Sequence, residues 1–242
     1  MSPKSHTLFH FTRDMEVVKF ILKGGFWPRY CVEDIHWMDN KINRKVALPM
    51  VCFCDIPLSR IGEHVKFYGE FGLGMSREWA ERNGLNPIMY LLPNSKLASA
   101  MKAVDLNVEK LDDESALKEM EYVLSYCKPV VGEMTINGRV ETKEFFQESE
   151  WRFIPVNHNI ESYLIEFEYE DARKLEEENQ KTKEFTSLTL EPNDVKYIFV
   201  KKDSDIPEMI KFIQSEMDDF VSSDIKVLMS RVISLESISN DM

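Results

Sequence analysis

Strand-like apolar runs in this chain alternate irregularly with helical segments, and that irregularity constrains its fold more than any other feature. Leu8–Thr12, Val46–Ile56, Gly69–Met75, Pro87–Leu92, Trp151–Val156, Tyr163–Tyr169 and Val195–Val200 read as strands. Helices are predicted over Met15–Lys23, Ser59–Tyr68, Arg77–Asn83, Leu97–Lys128, Pro207–Phe220 and Asp224–Ile238, with Asp171–Lys183 a charge-dense helix or exposed loop. No regular βαβ repeat links them, so the pattern specifies an α+β architecture. Local punctuation agrees. Asp14 caps the first helix and Gly24-Gly25 stops it, Ser76 caps the third and Gly84 closes it, and Pro129 ends the long helical stretch. Asn137-Gly138 marks a hairpin between Val130–Ile136 and Arg139–Phe145. Phe26–Lys45 shows no clean period and reads as an ordered loop.

A chain of 242 residues can bury one good-sized core, and no linker or repeat divides it. The expected organisation is a single domain over 1–242, with a helical insertion at about 97–128 and terminal helices at about 207–238. No apolar run approaches the roughly 20 residues that span a bilayer. The N-terminus lacks the apolar core and cleavage site of a secretory signal, so the expected location is the cytoplasm. Four cysteines, Cys31, Cys52, Cys54 and Cys127, are too few for a disulfide scaffold and fit buried thiols. Cys31, His36, Cys52 and Cys54 could in principle hold zinc, but Cys-x-Cys inside an apolar strand lacks the usual finger spacing.

Charge is uneven. Residues 1–100 carry 13 Lys and Arg against 10 Asp and Glu, a net +3, whereas residues 101–242 carry 17 against 32, a net −15. An acidic helical surface accounts for the second half, and the balance excludes a broad non-specific duplex binder, which needs many cations against phosphate. The chain has no Rossmann or phosphate-loop glycine pattern, no Gly-x-Ser-x-Gly elbow and no His-Glu-x-x-His.

Three places carry chemistry. His10 sits between Phe9 and Phe11 and faces away from both, with Leu8 and Thr12. It reads as a hydrogen-bonded structural histidine or as a ligand-gripping group. Asp55 follows the apolar strand and precedes Pro57, either shaping the Pro57–Ser59 bend or meeting a ligand at the strand end. Glu148 and Glu150, at i and i+2, project to one face of an extended segment that Arg152 shares, with Trp151 turned toward the core. Facing water they are a polar strand edge. Partly buried, their repulsion raises a proton affinity and prepares one for base work.

Taken in order, His-Phe-Thr on the first strand, Ile-Leu-Lys-Gly-Gly-Phe at the helix end, Met50–Ser59, Tyr68-Gly-Glu-Phe-Gly-Leu-Gly, Asn86-Pro-Ile-Met-Tyr and Glu148-Ser-Glu-Trp-Arg resemble the bacterial AbiGi abortive-infection family over about residues 7–240. That family is found in phage-defence loci and is usually labelled an antitoxin. The same order is similar to an ADP-ribosyltransferase core of the DarT type, which implies a split mixed sheet with inserted and C-terminal helices. The likeness implies that His10, with Thr12 beside it, grips the adenosine ribose of NAD. It places Phe53 to Asp55 on the middle strand, where that family more often shows Ser or Thr, and Tyr68 against nicotinamide. Glu150 takes the catalytic position and Glu148 orients the acceptor, the first strand and the late Glu sharing one groove. Arg29, with Arg13, meets the pyrophosphate, and Arg152 pairs with a carboxylate or binds a phosphate. A carboxylate on the 2′-hydroxyl would stabilise the oxocarbenium charge as the nicotinamide bond breaks. The implied function is an NAD-dependent toxin that modifies nucleic acid, single-stranded RNA or DNA. The alternative is a non-catalytic antitoxin that binds a partner toxin, its acidic half docking a basic protein or mimicking nucleic acid. Hydrolysis of NAD without transfer is a third reading.

Overall fold

A computed structural model describes residues 6–38, 45–136, 139–217 and 219–241. In chain order the elements are strand β1 (Thr7–Thr12), helix α1 (Met15–Gly24), strands β2 (Arg29–Asp34) and β3 (Lys45–Cys54), helix α2 (Ile61–Tyr68), strand β4 (Phe71–Ser76) and helix α3 (Arg77–Arg82). Short strands β5 (Asn86–Pro87) and β6 (Met89–Leu91) precede helices α4 (Lys96–Glu109) and α5 (Glu114–Ser125). Strands β7 (Cys127–Pro129), β8 (Val131–Ile136), β9 (Arg139–Glu144) and β10 (Glu150–Phe153) follow, then helices α6 (Glu166–Tyr169) and α7 (Ala172–Thr186). The chain closes with β11 (Val195–Val200), α8 (Ile206–Glu216), α9 (Ser222–Met229), β12 (Val232–Ser234) and α10 (Leu235–Asp241). This is a mixed α+β protein.

Contacts divide the chain into two compact units. The first comprises Met1–Phe26, Cys52–Leu85 and Leu188–Met242, and the second Trp27–Val51 and Asn86–Ser187.

In the first unit the strand order is β12, β11, β4, β1, and Phe9 of β1 also pairs with Cys54 at the end of β3. β11 and β12 are parallel and the other pairs antiparallel, so the sheet is mixed. One core cluster gathers Phe9, Phe11, Cys54, Ile56, Ile61, Phe199 and Leu235. Helix α1 forms where its signals place it. The Asp14 side chain accepts from the Glu16 N–H, and Val18, Ile21 and Leu22 are buried. Gly25 has φ 83° and donates its N–H to the Ile21 carbonyl. A side chain there is strained in φ and would also strike the Leu188 carbonyl, because Phe26 and Leu188 form a β-bridge. The glycines of β4 have a different cause. A Cβ at Gly72 would lie 2.5 Å from the His10 carbonyl oxygen and 2.7 Å from the Phe11 ring, so only a bare backbone lets β1 cross there.

In the second unit β2 and β3 form an antiparallel pair from Arg29↔Met50 to Asp34↔Lys45. β10 pairs with β5, β6 runs parallel to β7, and β8 pairs with β9. Helix α7 covers β2: Asn179 accepts the Tyr30 N–H on its side chain and the Trp27 indole N–H on its carbonyl. The Asn137-Gly138 turn lies outside the described residues, and Ile136↔Arg139 pair on either side of it.

Five segments depart from the sequence reading. Pro87–Leu92 is two short strands that part to different partners, β5 to β10 and β6 to β7. Phe26–Lys45 contains β2 and a 3-10 turn at His36–Met38, because pairing with β3 makes the strand. The helical stretch 97–128 is two helices, broken where Asp112 takes φ 52°, and its end is strand β7. Tyr163–Tyr169 makes a single bridge, Leu164 to Ala47, and then turns into α6. Asp224–Ile238 is interrupted by β12, which adds to β11 in parallel.

The crowding at Gly72 predicts that Gly72→Ala lowers stability by about 1–3 kcal/mol. Gly24→Ala, where an added Cβ meets nothing within 4 Å, should leave the melting temperature nearly unchanged. Thermal unfolding followed by circular dichroism separates the two.

Candidate functional site

His10, Thr12, Phe53, Asp55 and Tyr68 belong to the first unit, and Arg29, Glu148, Glu150 and Arg152 to the second.

The first set is built into the sheet and its flank. His10 pairs across β1 and β4 with Leu73, and its Nδ1–H donates to the Cys52 carbonyl at 2.8 Å. Its ring contacts Phe26 edge-on, with centroids 5.3 Å apart, and Phe53 at 5.5 Å. Burial lowers its pKa, with the backbone hydrogen bond opposing, so the imidazole is neutral at pH 7. Phe53 is 2% exposed and packs on Phe26 and Trp79. Thr12, half-buried, ends β1 opposite Phe71. Tyr68 stacks on His64 with centroids 4.5 Å apart and packs against the core cluster. Asp55 does not cap the bend at Pro57. It is buried and accepts from Arg77 at 2.9 Å.

The second set contains a cluster of charges. Glu148 and Glu150 do not share one extended face: Glu148 ends a 3-10 turn over Phe145–Glu148, Ser149 takes the left-handed conformation at φ 45°, ψ 52°, and Glu150 opens β10. That turn nevertheless brings both carboxylates to Lys128 of β7, at 3.7 Å from Glu148 and 2.8 Å from Glu150. The orientations at 151 and 152 are the reverse of the expected ones. Arg152 is fully buried and Trp151 half-buried, because Arg152 is tied on three sides. Its Nε donates to Glu150 at 2.5 Å, its Nη1 to the Ser125 carbonyl at 2.8 Å, and its Nη2 lies 3.1 Å from Glu33 of β2. Lys143 of β9 holds the other side of Glu148 at 2.5 Å. Lys128 also stands over the Phe145 ring, 4.3 Å from its centroid, and 3.9 Å from Glu33. Arg29 stays outside this group: it is exposed, pairs with Glu176 of α7 and lies over Trp27.

Three carboxylates thus face three cations, and the cluster is neutral. Burial opposes ionisation of Glu150, but the charges of Arg152 and Lys128 and their hydrogen bonds outweigh it and hold its carboxyl well below the usual range. Burial also opposes the charge on Lys128, and Glu33, Glu150 and Glu148 together keep it protonated. A raised proton affinity, the condition for base work, is therefore absent from Glu150. Lys128, Glu33 and Lys143 were not singled out in the sequence. A lysine embedded in the apolar run Cys-Lys-Pro-Val-Val was the signal for the first of them. Among the described residues no group of three or more His, Cys, Asp or Glu is placed to hold a metal ion, and no helix is long and apolar enough to cross a membrane.

Fold and site together define a mixed α+β protein whose second unit is organised around a neutral, buried ion cluster. The family model described as "Putative abortive phage resistance protein AbiGi, antitoxin" matches residues 24–201, and the chain belongs to that family. It is 26% identical over 247 residues to the abortive phage resistance protein AbiGi of Lactococcus lactis subsp. cremoris, covering 90% of this chain and 99% of that protein. No solved structure matches significantly. These findings bear out the AbiGi resemblance and correct the expected function. The family is described as an antitoxin, not as an ADP-ribosyltransferase toxin.

Glu150→Gln leaves Lys128 and Arg152 short of a buried counter-charge and should destabilise the protein by about 3–5 kcal/mol at pH 7. The Glu150 pKa is depressed on folding, so its contribution is complete above the unfolded value of about 4.3 and is lost as pH falls through the folded one. The stability gap between wild type and Glu150→Gln should hold from pH 7 to about pH 5 and narrow below about 4.3. Denaturant melts across that range check it.

Proposed function

We propose that this chain acts by binding, as the antitoxin of an abortive-infection pair that engages and neutralises a partner toxin protein. The observation that carries this reading is the state of Glu150. Its two oxygens are held by Arg152 and Lys128 at 2.5 and 2.8 Å within a buried neutral cluster. A carboxylate so engaged stabilises its own protein, whereas transition-state stabilisation needs a group aimed at a reacting atom. The description of the family as an antitoxin supports the same conclusion. The surface is suited to a basic partner. Residues 101–242 carry a net −15, and the segment 161–171 contains Glu161, Glu166, Glu168, Glu170 and Asp171 beside Phe167, which is 73% exposed. Complementary charge of this kind raises association rates and selects partners.

Expressed alone, the chain should leave bacterial growth unaffected. Expressed with the toxin encoded beside it, it should restore growth. Glu150→Gln, produced at a temperature where it remains folded, should still restore growth, because Glu150 acts here through stability. Growth arrest by the chain alone, relieved by Glu150→Gln, would overturn the reading.

A further inference from the structure

Helix α4 carries an apolar stripe that the fold uses only in part. Leu97, Met101, Val104 and Val108 follow one another at intervals of four, three and four residues, and Leu111 continues the series just past the helix end. That is the spacing of a coiled-coil seam. At about 100° per residue the four helical positions fall within an arc of about 60°. The helix does not turn this arc squarely to the core. Its fully buried residue, Ala98, lies about 90° from the centre of the stripe and packs with Trp37, Leu91 and Cys127. Met101 reaches the same cluster from the edge of the stripe. Leu97 and Val104 remain 51% exposed and Leu111 67%.

The borders of the stripe say what would cover it. On the flank nearer Ala98 stands Asp105, and Glu109 of α4 and Glu121 of α5 act on its carboxyl. On the other flank stand Ala100 and Asn107, both exposed and uncharged. The lysines of this helix segment, Lys96, Lys102 and Lys110, fall about 100° or more from the centre of the stripe. Glu109 lies as far round as Lys96, on the opposite flank, so the charged side chain nearest the stripe is Asp105, and it is negative. Burial first, then the charges of Glu109 and Glu121, raise the pKa of Asp105.

We propose that this face of α4 is the docking surface for a basic amphipathic helix of the partner protein, whose apolar residues complete the seam and whose Lys or Arg side chains meet Asp105 at its border. The heptad spacing selects a helix, since an extended segment presents side chains at a period of two. The acidic border selects a basic one. A second copy of the same face would bring Asp105, Ala100 and Asn107 and no cation to that border, so self-pairing lacks the required charge. This inference rests on the antitoxin reading and names where the partner is held.

Two synthetic amphipathic peptides with leucine at the seam positions, one with Lys and one with Glu at the flanking positions, test it against the intact chain by fluorescence anisotropy. The Lys peptide should bind at least about tenfold more tightly at low salt, and the difference should shrink as salt screens the border charges. Leu97→Ser/Val104→Ser should weaken binding by at least about tenfold. Both side chains are exposed, so the fold should survive, and circular dichroism verifies that it does. Asp105→Lys should reverse the preference between the peptides. Equal binding of the two peptides, or binding indifferent to these substitutions, overturns the proposal. So does self-association of the wild type that the Ser substitutions abolish, which would assign the face to a second copy. In cells, Leu97→Ser/Val104→Ser should lose neutralisation that the wild type retains. If the variant neutralises as well as wild type, the surface is wrong and the antitoxin reading stands. If wild type itself does not neutralise, that reading fails, and the peptides alone decide the surface.

Discussion

Arg152 is the residue on which the second unit most depends. A guanidinium with no exposure to water is tolerable only when its charge and donors meet partners: here Nε and Nη1 donate to Glu150 and the Ser125 carbonyl, and Nη2 is ion-paired with Glu33. Those partners come from β10, β2 and the end of α5, so one side chain joins three elements far apart in sequence. Lys128 repeats the arrangement from β7, reaching Glu33, Glu148 and Glu150. Removing any one member leaves the cluster with one uncompensated charge, which ties the strand ends of this unit together.

The same arithmetic of charge explains why a Glu-x-Glu pattern is weak testimony for catalysis. Two carboxylates brought close in a protein interior either repel and hold a proton, or attract cations and stay ionised. Which of these occurs depends on residues the pattern does not contain. Here Arg152 and Lys128 stand opposite Glu150, and for that carboxyl the second outcome follows.

Elements whose cause is local were legible in the sequence. Strand β1, helix α1 with its Asp14 cap and Gly25 stop, and helix α3 with its Ser76 cap lie where period and punctuation put them. Strand β2 was not legible, because it is made by its pairing with β3 and its own burial follows no alternation. The segment at Tyr163–Tyr169 carries apolar residues fit for a strand but finds one bridge in place of a ladder. In the candidate site, alternation told that Trp151 and Arg152 point opposite ways. It could not tell which way was inward, since that depends on Glu33 and Ser125. The order of motifs led to the family. The pattern did not reveal that Glu148 and Glu150 are held by cations, because Lys128 lies some twenty residues before them and Lys143, only five before Glu148, belongs to the preceding strand.

Ser149 shows how little of this arrangement resides in the side chain between the two glutamates. Its left-handed backbone swings the chain from a 3-10 turn into β10, so that neighbouring carboxylates converge on one ammonium group. A torsion angle, rather than a functional group, decides the meeting. Glycine or asparagine could occupy position 149 without disturbing it, whereas valine or isoleucine would unhinge the corner and part the two acids.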